Sequence, residues 1–178
     1  YKIVSFAIDS VGLKWVVTDG GGAGKFCSNY KGEWNVWEIH NESENRFSNS
    51  IMSVAVDKEG NVWFASYNGV HEFNGDKWIT YKKDDGLADD RVNVVFVDSE
   101  GYKWFGTEDG VGKFDGENWI TYTESDGLYN NNVYAITQDT LGKIHFATKN
   151  GLCHYNGTSW ELYEYRKCYN DWIIARYR

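Results

Sequence analysis

An all-β fold built from repeated antiparallel meanders is predicted by three observations. Self-similarity recurs every 41 residues, Asp-Gly and Asn-Gly pairs punctuate each repeat, and the apolar runs between them are strand-sized. The stretches GDKWITYKKDDGL (Gly75–Leu87) and GENWITYTESDGL (Gly116–Leu128) share eight of thirteen positions. Around them, the D-x-x-G tetrads beginning at Asp57, Asp98 and Asp139 stand 41 residues apart. So do Trp63, Trp104 and His145, and so do Trp78, Trp119 and Trp160.

The first unit is an expanded copy, with Asp9, Gly12, Trp15 and Trp34 at the repeat positions. Trp15 precedes Trp63 by 48 residues, whereas Trp34 precedes Trp78 by 44. The seven extra residues divide into four in the Gly-rich Thr18–Gly32 and three after Trp34, in or beside expected loops. The third unit shows the elements in order: strands at about Val92–Val97, Lys103–Thr107, Val111–Phe114 and Asn118–Thr123. Asp98–Gly101 closes its first hairpin, with a glycine suited to a left-handed position. Asp109-Gly110 and Asp115-Gly116 close the second and third, because these pairs tolerate the positive φ that tight hairpins require. Asn68-Gly69 and Asn74-Gly75 serve the second unit in the same way, and Asn150-Gly151 and Asn156-Gly157 the fourth.

A sheet with one wet face alternates apolar and polar residues. VWFAS (Val62–Ser66) and WITY (Trp119–Tyr122) do not, and Val111 and Phe114 must point to opposite faces of one strand. Both faces of each meander therefore need covering, and neighbouring copies can supply the cover. The result is a β-propeller of four-stranded antiparallel blades. WITY is expected as an outer strand with its Trp and Tyr on opposite faces.

The whole chain, 1–178, reads as one propeller domain with blades at about 1–37, 51–81, 92–122 and 133–163. Residues 166–178 form a tail in which Ile174 falls 41 after Val133, where a further blade would begin. The preferred reading is a fragment of a larger propeller; the alternatives are a closed four-blade ring and a ring completed by a second chain.

At 178 residues the chain can bury a real core, and its 42% apolar and 25% charged composition is that of a globular protein. Aromatics reach 17%, so large packing surfaces must absorb them. A net charge of −8 argues against nucleic acid as a partner. No run approaches the roughly 20 apolar residues of a membrane helix. The chain begins at Tyr1 with no signal peptide and reads as trimmed from something longer. Cys27, Cys153 and Cys168 are an odd number at spacings that match neither a disulfide framework nor a zinc site. Their number allows one bridge; small buried thiols are the simpler expectation.

The repeat, best seen in VDSEGYKWFGTEDGVGKFDGENW (Val97–Trp119), resembles that of the two-component regulator propellers. The resemblance covers nearly the whole chain, weakly in Tyr1–Ser50, and His145 departs from the motif's Trp. It implies an extracytoplasmic, periplasmic or cell-surface, ligand-sensing module of a bacterial signalling protein, often tuned to carbohydrate-derived signals. Any membrane helix and kinase would lie in other segments. The repeat is also similar to that of the streptogramin lyases, which would imply an enzyme with a metal-supported His and Glu cluster. A protein-interaction scaffold is the third reading.

Positions that recur in every copy serve the blade, since a single site would need them once. Each D-x-x-G aspartate is expected to cap its own turn. Function should lie where copies differ, on the face formed by the strand 2–3 turns and the inter-blade loops. That face collects Asp19–Gly24, Glu42–Ser50, Tyr67–Asn68, Asp84–Arg91, Glu108–Asp109, Glu124–Asn132 and Lys149–Asn150. Its candidate ligand-binding residues are Tyr67, Asn68, Arg91, Glu108, Tyr129, Asn131 and Lys149. Aromatic faces stack on sugar rings, and amide, guanidinium and ammonium groups bond hydroxyls. A small molecule or oligosaccharide is the expected partner, together with self-association through blade edges.

No catalytic residue, metal site or cofactor is expected. His40, His71, His145 and His154 lack paired ligand spacing, and His145 is expected in a blade interface. DDGLADD (Asp84–Asp90) lacks the spacing of a calcium loop and reads as a solvated acidic turn. DGGGAGKF (Asp19–Phe26) lacks a phosphate loop's Lys-Ser/Thr ending and following helix.

Overall fold

The computed structural model describes residues 2–28, 34–40 and 51–163, with backbone only at 27–28 and 34–40. Four antiparallel sheets of four strands fill the described residues, each in strict chain order. Blade 1 holds β1 (Ile3–Ile8), β2 (Lys14–Thr18), β3 (Gly22–Ser28) and β4 (Trp34–His40). Blade 2 holds β5 (Ile51–Val56), β6 (Val62–Ser66), β7 (Gly69–Phe73) and β8 (Trp78–Tyr81). Blade 3 holds β9 (Val92–Val97), β10 (Lys103–Thr107), β11 (Gly110–Phe114) and β12 (Trp119–Tyr122). Blade 4 holds β13 (Val133–Gln138), β14 (Ile144–Thr148), β15 (Gly151–Tyr155) and β16 (Trp160–Leu162). The first strands β1, β5, β9 and β13 pack in succession, so they line the inside and the fourth strands lie outermost. The only helical turns among the described residues are two three-residue 3-10 segments, Lys83–Asp85 and Glu124–Asp126, both between blades. Cys168 and the tail from Asn170 lie outside the described residues, as do the side chains of Cys27 and His40 and the loop Glu42–Ser50.

Three apolar layers hold the four blades together, and each layer repeats one rule. Trp15, Trp63 and Trp104 leave one face of their blade and meet Phe64, Phe105 and Phe146 of the next, at centroid distances of 5.7, 5.8 and 5.7 Å. The three indoles are at most 2% exposed. Val111 lies in the layer toward blade 4 and Phe114 in the layer toward blade 2, so both faces of one strand are covered. WITY behaves likewise: Trp119 stacks on Phe114 in one layer, while Tyr122 stacks on Trp104 in the other. Edge and offset ring contacts of this kind add to the burial of large apolar area.

The repeated aspartates explain how a buried indole is tolerated. Asp98 Oδ1 accepts the backbone N–H groups of Glu100 and Tyr102, closing its turn. Its second oxygen accepts Trp104 Nε1–H at 2.7 Å. Asp57 does the same for Trp63 at 2.9 Å. In blade 4 the ring Nε2 of His145 takes the indole's place, 2.9 Å from Asp139 Oδ2, and holds the Asp139 carboxyl below the usual carboxylate range. One aspartate thus serves both its turn and the ring that packs the blade. Gly60, Gly101 and Gly142 close these turns at φ of 90°, 94° and 85°.

Across the second layer, Lys103 of blade 3 reaches back to blade 2. Its ammonium lies 3.6 Å from Asp57 Oδ2, with side chains 10% and 0% exposed, and 5.6 Å from the Trp63 ring centroid. The corresponding residue is Val62 in blade 2 and Ile144 in blade 4, so this ion pair belongs to one layer.

His145 holds the repeat position of Trp104. It lies on the face of blade 4 turned away from blade 3, beside Tyr163 (stacked at 5.7 Å) and His154, and no further described blade covers it. Tyr163 OH sits 2.5 Å from His145 Nδ1. Because Nε2 donates to Asp139, Nδ1 is the acceptor of the tyrosine hydroxyl. Among the described residues the four blades do not close on themselves: β13 and β1 are not packed together as consecutive first strands are. Cys153 is a fully buried free thiol in the third layer.

Candidate functional site

One rim of the assembly is built by the strand 2–3 turns and the connections between blades, and the backbone ties the two sets together. Gly69 N–H donates to Asp90 O at 2.7 Å, and Gly110 N–H to Asn131 O at 2.8 Å. Glu108 N–H donates to Arg91 O, and Lys149 N–H to Asn132 O. Gly69 and Gly110 thus rest on the connection that leads into the next blade, and Glu108 and Lys149 on the one that leads into their own. Gly110 sits at φ 121°, and a Cβ there would lie 2.7 Å from Tyr122 O, so only glycine fits beneath the connection.

The connections are anchored from below. Leu87 and Leu128 end the two DGL motifs, and their side chains are 2% and 3% exposed within the blade layers. Asp85 Oδ2 accepts Lys82 N–H, and Asp126 Oδ2 accepts Thr123 N–H, both at 2.8 Å. Asp90 Oδ1 then accepts Lys83 N–H, and Asn131 Oδ1 accepts Glu124 N–H, again both at 2.8 Å. The carboxylates of Asp85, Asp89 and Asp90 thus accept N–H groups of their own loop.

This geometry sorts the seven candidates. Asn131 stands 41 residues after Asp90 and does the same structural work; its amide nitrogen also donates to Asp109 Oδ1 at 3.1 Å. Arg91 and Glu108 pair at 3.1 Å across the rim. Asn68 Oδ1 accepts from Lys82 Nζ at 2.9 Å. These four hold the rim in shape. Tyr67 and Tyr129 are 48% and 41% exposed, and Tyr129 lies against Gly151, where an added Cβ would be 2.9 Å from its ring. Among the described residues no hydrogen bond engages the hydroxyl of either tyrosine or the ammonium of Lys149. Lys82 lies outside the segments expected from the sequence, and Glu124 and Asn130 lie within one of them without being among the candidates. Glu124 Oε1 accepts both Asn130 Nδ2 and Asn131 N–H. The signal was the alignment of 83–91 with 124–132, which shows the positions to be loop-forming.

Beneath the Tyr67–Asn68 turn lies His71, 2% exposed. Ser66 Oγ donates to Gly69 O, so it accepts from Asn68 N–H and from His71 Nε2–H at 3.1 Å. Nδ1 then accepts from Thr80 Oγ1 at 2.9 Å. Burial, aided by nearby Lys82, pulls the imidazole from 6.5 down to about 4. Between those values the unfolded chain binds a proton that the folded chain excludes. Stability therefore falls as pH drops from 6.5 to about 4 and levels below, a loss of about 3 kcal/mol. Denaturant melts of wild type minus His71→Asn across this window should show that slope, and a His71 ring resonance titrating near 6.5 would refute it.

The described histidines do not converge. His71 is buried in blade 2, whereas His145 and His154 share the lateral face of blade 4; His154 pairs with Glu161 at 3.1 Å.

The family described as Two component regulator propeller matches residues 45–68. No curated protein matches the chain. Among solved structures, the extracellular domain of a proposed hybrid two component system from B. thetaiotaomicron is similar with 25% identity and a TM-score of 0.75, over 87% of this chain and 22% of that one. The extracellular domain of a proposed one component system from the same organism is 20% identical at the same TM-score, over 92% and 24%. A catalytically inactive virginiamycin B lyase from Staphylococcus aureus, solved with quinupristin, is 16% identical with a TM-score of 0.64, over 92% and 55%. The chain therefore spans about a quarter of the receptor domains and about half of the lyase.

Proposed function

We propose that this chain, whose repeat is that of the two component regulator propellers, is a non-enzymatic, extracytoplasmic recognition module. It holds a small ligand, carbohydrate-derived by preference, on the rim built by the strand 2–3 turns and the connections. The observation that carries the reading is the pair of exposed rings, Tyr67 and Tyr129, standing on a rim where Asn68, Arg91, Glu108 and Asn131 are engaged in holding its shape. A preformed rim with aromatic platforms suits a sugar face, and Lys149 beside Tyr129's turn supplies a donor for hydroxyls. Among the described residues no helix is long and apolar enough to cross a membrane. A ligand signal would pass to the rest of a receptor through changes in how blades or chains dock.

An oligosaccharide screen followed by calorimetry on the best binder tests this. Tyr129→Ala should weaken binding about tenfold, near 1.4 kcal/mol. Arg91→Ala should weaken it less, through loss of the Glu108 tie. Unchanged affinity in both variants removes this rim from consideration. Turnover of a screened compound, abolished by a chelator, would favour a lyase instead. That chemistry asks for exposed histidines at the rim; among the described residues His71 is buried beneath it, and His145 and His154 lie on the lateral face of blade 4.

A further inference from the structure

We infer, resting on the rim reading above, that the molecule recognised is an acidic saccharide, whose carboxylate or sulfate is held by Lys149 beside the Tyr129 ring. The joints between blades 2 and 3 and between blades 3 and 4 are copies of one another. At each, a turn residue donates its N–H to the connection that leads into its own blade: Glu108 to Arg91 O at 3.1 Å, and Lys149 to Asn132 O at 2.9 Å. The positions are equivalent and their charges are not. In the first joint the Arg91 guanidinium pairs with the Glu108 carboxylate at 3.1 Å. In the second, the same two positions hold a neutral amide, Asn132, and the exposed ammonium of Lys149. Among the described residues no carboxylate pairs with Lys149. The cations of the first joint are all engaged: Lys82 bonds Asn68 Oδ1, and Lys83 stands 3.8 Å from both Asp89 and Asp109.

The loop bonds separate this change of charge from the needs of the fold. Asp89 Oδ1 accepts Arg91 N–H at 3.0 Å, and Asn130 Oδ1, 41 residues on, accepts Asn132 N–H at 3.2 Å. Asp90 Oδ1 and Asn131 Oδ1 each accept an N–H of their own connection at 2.8 Å. Each place needs an acceptor oxygen, which an amide supplies as a carboxylate does. In the turn, Asn150 stands where blade 3 has Asp109. Three carboxylates of the first joint are thus amides in the second, and a fourth, Glu108, gives way to Lys149, in a chain of net charge −8. Carboxylates at these places would repel an anion, and exchanging them lifts that repulsion at one joint alone. The acids that the second connection keeps are bonded within their own loop: Glu124 Oε1 accepts from Asn130 and Asn131, and Asp126 Oδ2 from Thr123 N–H. The ring changes at the same joint. Ala88, 5% exposed, packs against Gly110, whereas Tyr129, 41 residues on, lies against Gly151 and is 41% exposed. An aromatic face for a sugar's C–H groups and an ammonium for its acid therefore share one turn. A neutral sugar satisfies the ring; an acidic one satisfies both.

Calorimetry of the full 178-residue chain tests this with oligogalacturonate, oligoalginate and chondroitin sulfate fragments, each beside its carboxyl-reduced or desulfated counterpart. At least one acidic fragment should bind about tenfold more tightly than its neutral counterpart, the scale of one hydrogen bond to a charged group. The counterpart that loses the affinity identifies the acid as carboxylate or sulfate. Lys149→Gln keeps a donor without the charge and should erase that margin. Asn150→Asp returns blade 3's carboxylate to an exposed turn, so it should weaken the acidic fragment without moving the melting curve. Fragments bound equally with and without their acid groups, yet weakened by Tyr129→Ala, overturn the acidic assignment and leave the rim reading standing. An acidic preference that survives Lys149→Gln overturns it likewise. An acidic binder indifferent to both Lys149→Gln and Tyr129→Ala overturns both readings, as does a chain that binds none of the fragments.

Discussion

Trp104→Ala is expected to cost about 3–5 kcal/mol of unfolding free energy, the range for deleting a buried large ring. The reason lies in the number of surfaces that this indole serves. It meets Phe146 of the next blade at 5.7 Å and Tyr122 of its own blade at 6.1 Å, and it donates to Asp98, whose other oxygen closes the turn. Trp104→Phe keeps much of the ring and loses the N–H, so it should cost less, about 1–3 kcal/mol, as a buried acceptor is left short of a donor. Urea melts followed by circular dichroism distinguish the two. Equal losses in both variants would mean that the hydrogen bond, rather than packing between blades, is what the position supplies.

The second large effect is expected at Asp57. Asp57→Ala removes the acceptor for Trp63 and Asn61 and strands the Lys103 ammonium in a layer where its side chain is only 10% exposed. Breaking a buried pair from one side costs about 3–5 kcal/mol, whereas exchanging the lysine for an apolar residue of similar volume is often close to neutral. Lys103→Met alone should therefore change stability by less than about 1 kcal/mol, and adding it to Asp57→Ala should restore part of the loss. Asp98→Ala is the internal control. The same turn and indole bonds are lost there, but Ile144 occupies the facing position, so its cost should be smaller than that of Asp57→Ala. If the two aspartate variants lose the same stability, or Lys103→Met rescues nothing, the charge pair contributes little to the joint between blades 2 and 3.

The propeller was legible because its cause is periodic. Turn glycines, aspartates and rings at 41-residue spacing report a unit that needs identical neighbours, and Val111 with Phe114 told that both faces are covered. Strand limits also came through, since Asp-Gly and Asn-Gly mark where the chain must reverse. The second bond of each turn aspartate was not legible: a spacing of six residues does not reveal that Trp63 or Trp104 folds its N–H back toward Asp57 or Asp98. Nor was the setting of His145, whose repeat position says which surface it lies on but not whether another blade covers that surface. At the rim, Tyr67 and Tyr129 could be named because they differ between copies. Asn131 could have been set aside from its alignment with Asp90, because a repeated loop bond explains both. Arg91 and Glu108 needed coordinates, since their pairing joins two segments that sequence alone cannot bring together.

Every hydrogen-bonded strand pair in the four sheets joins neighbours in the chain. No connection within a blade is longer than five residues, so little loop-closure entropy stands between the unfolded chain and a formed meander. Assembly can then proceed by accretion as synthesis advances, each new blade finding the previous one already in place as a template. A molecule so rich in sticky rings spends little time with unmatched strands, and the ordering of its birth follows the ordering of its parts.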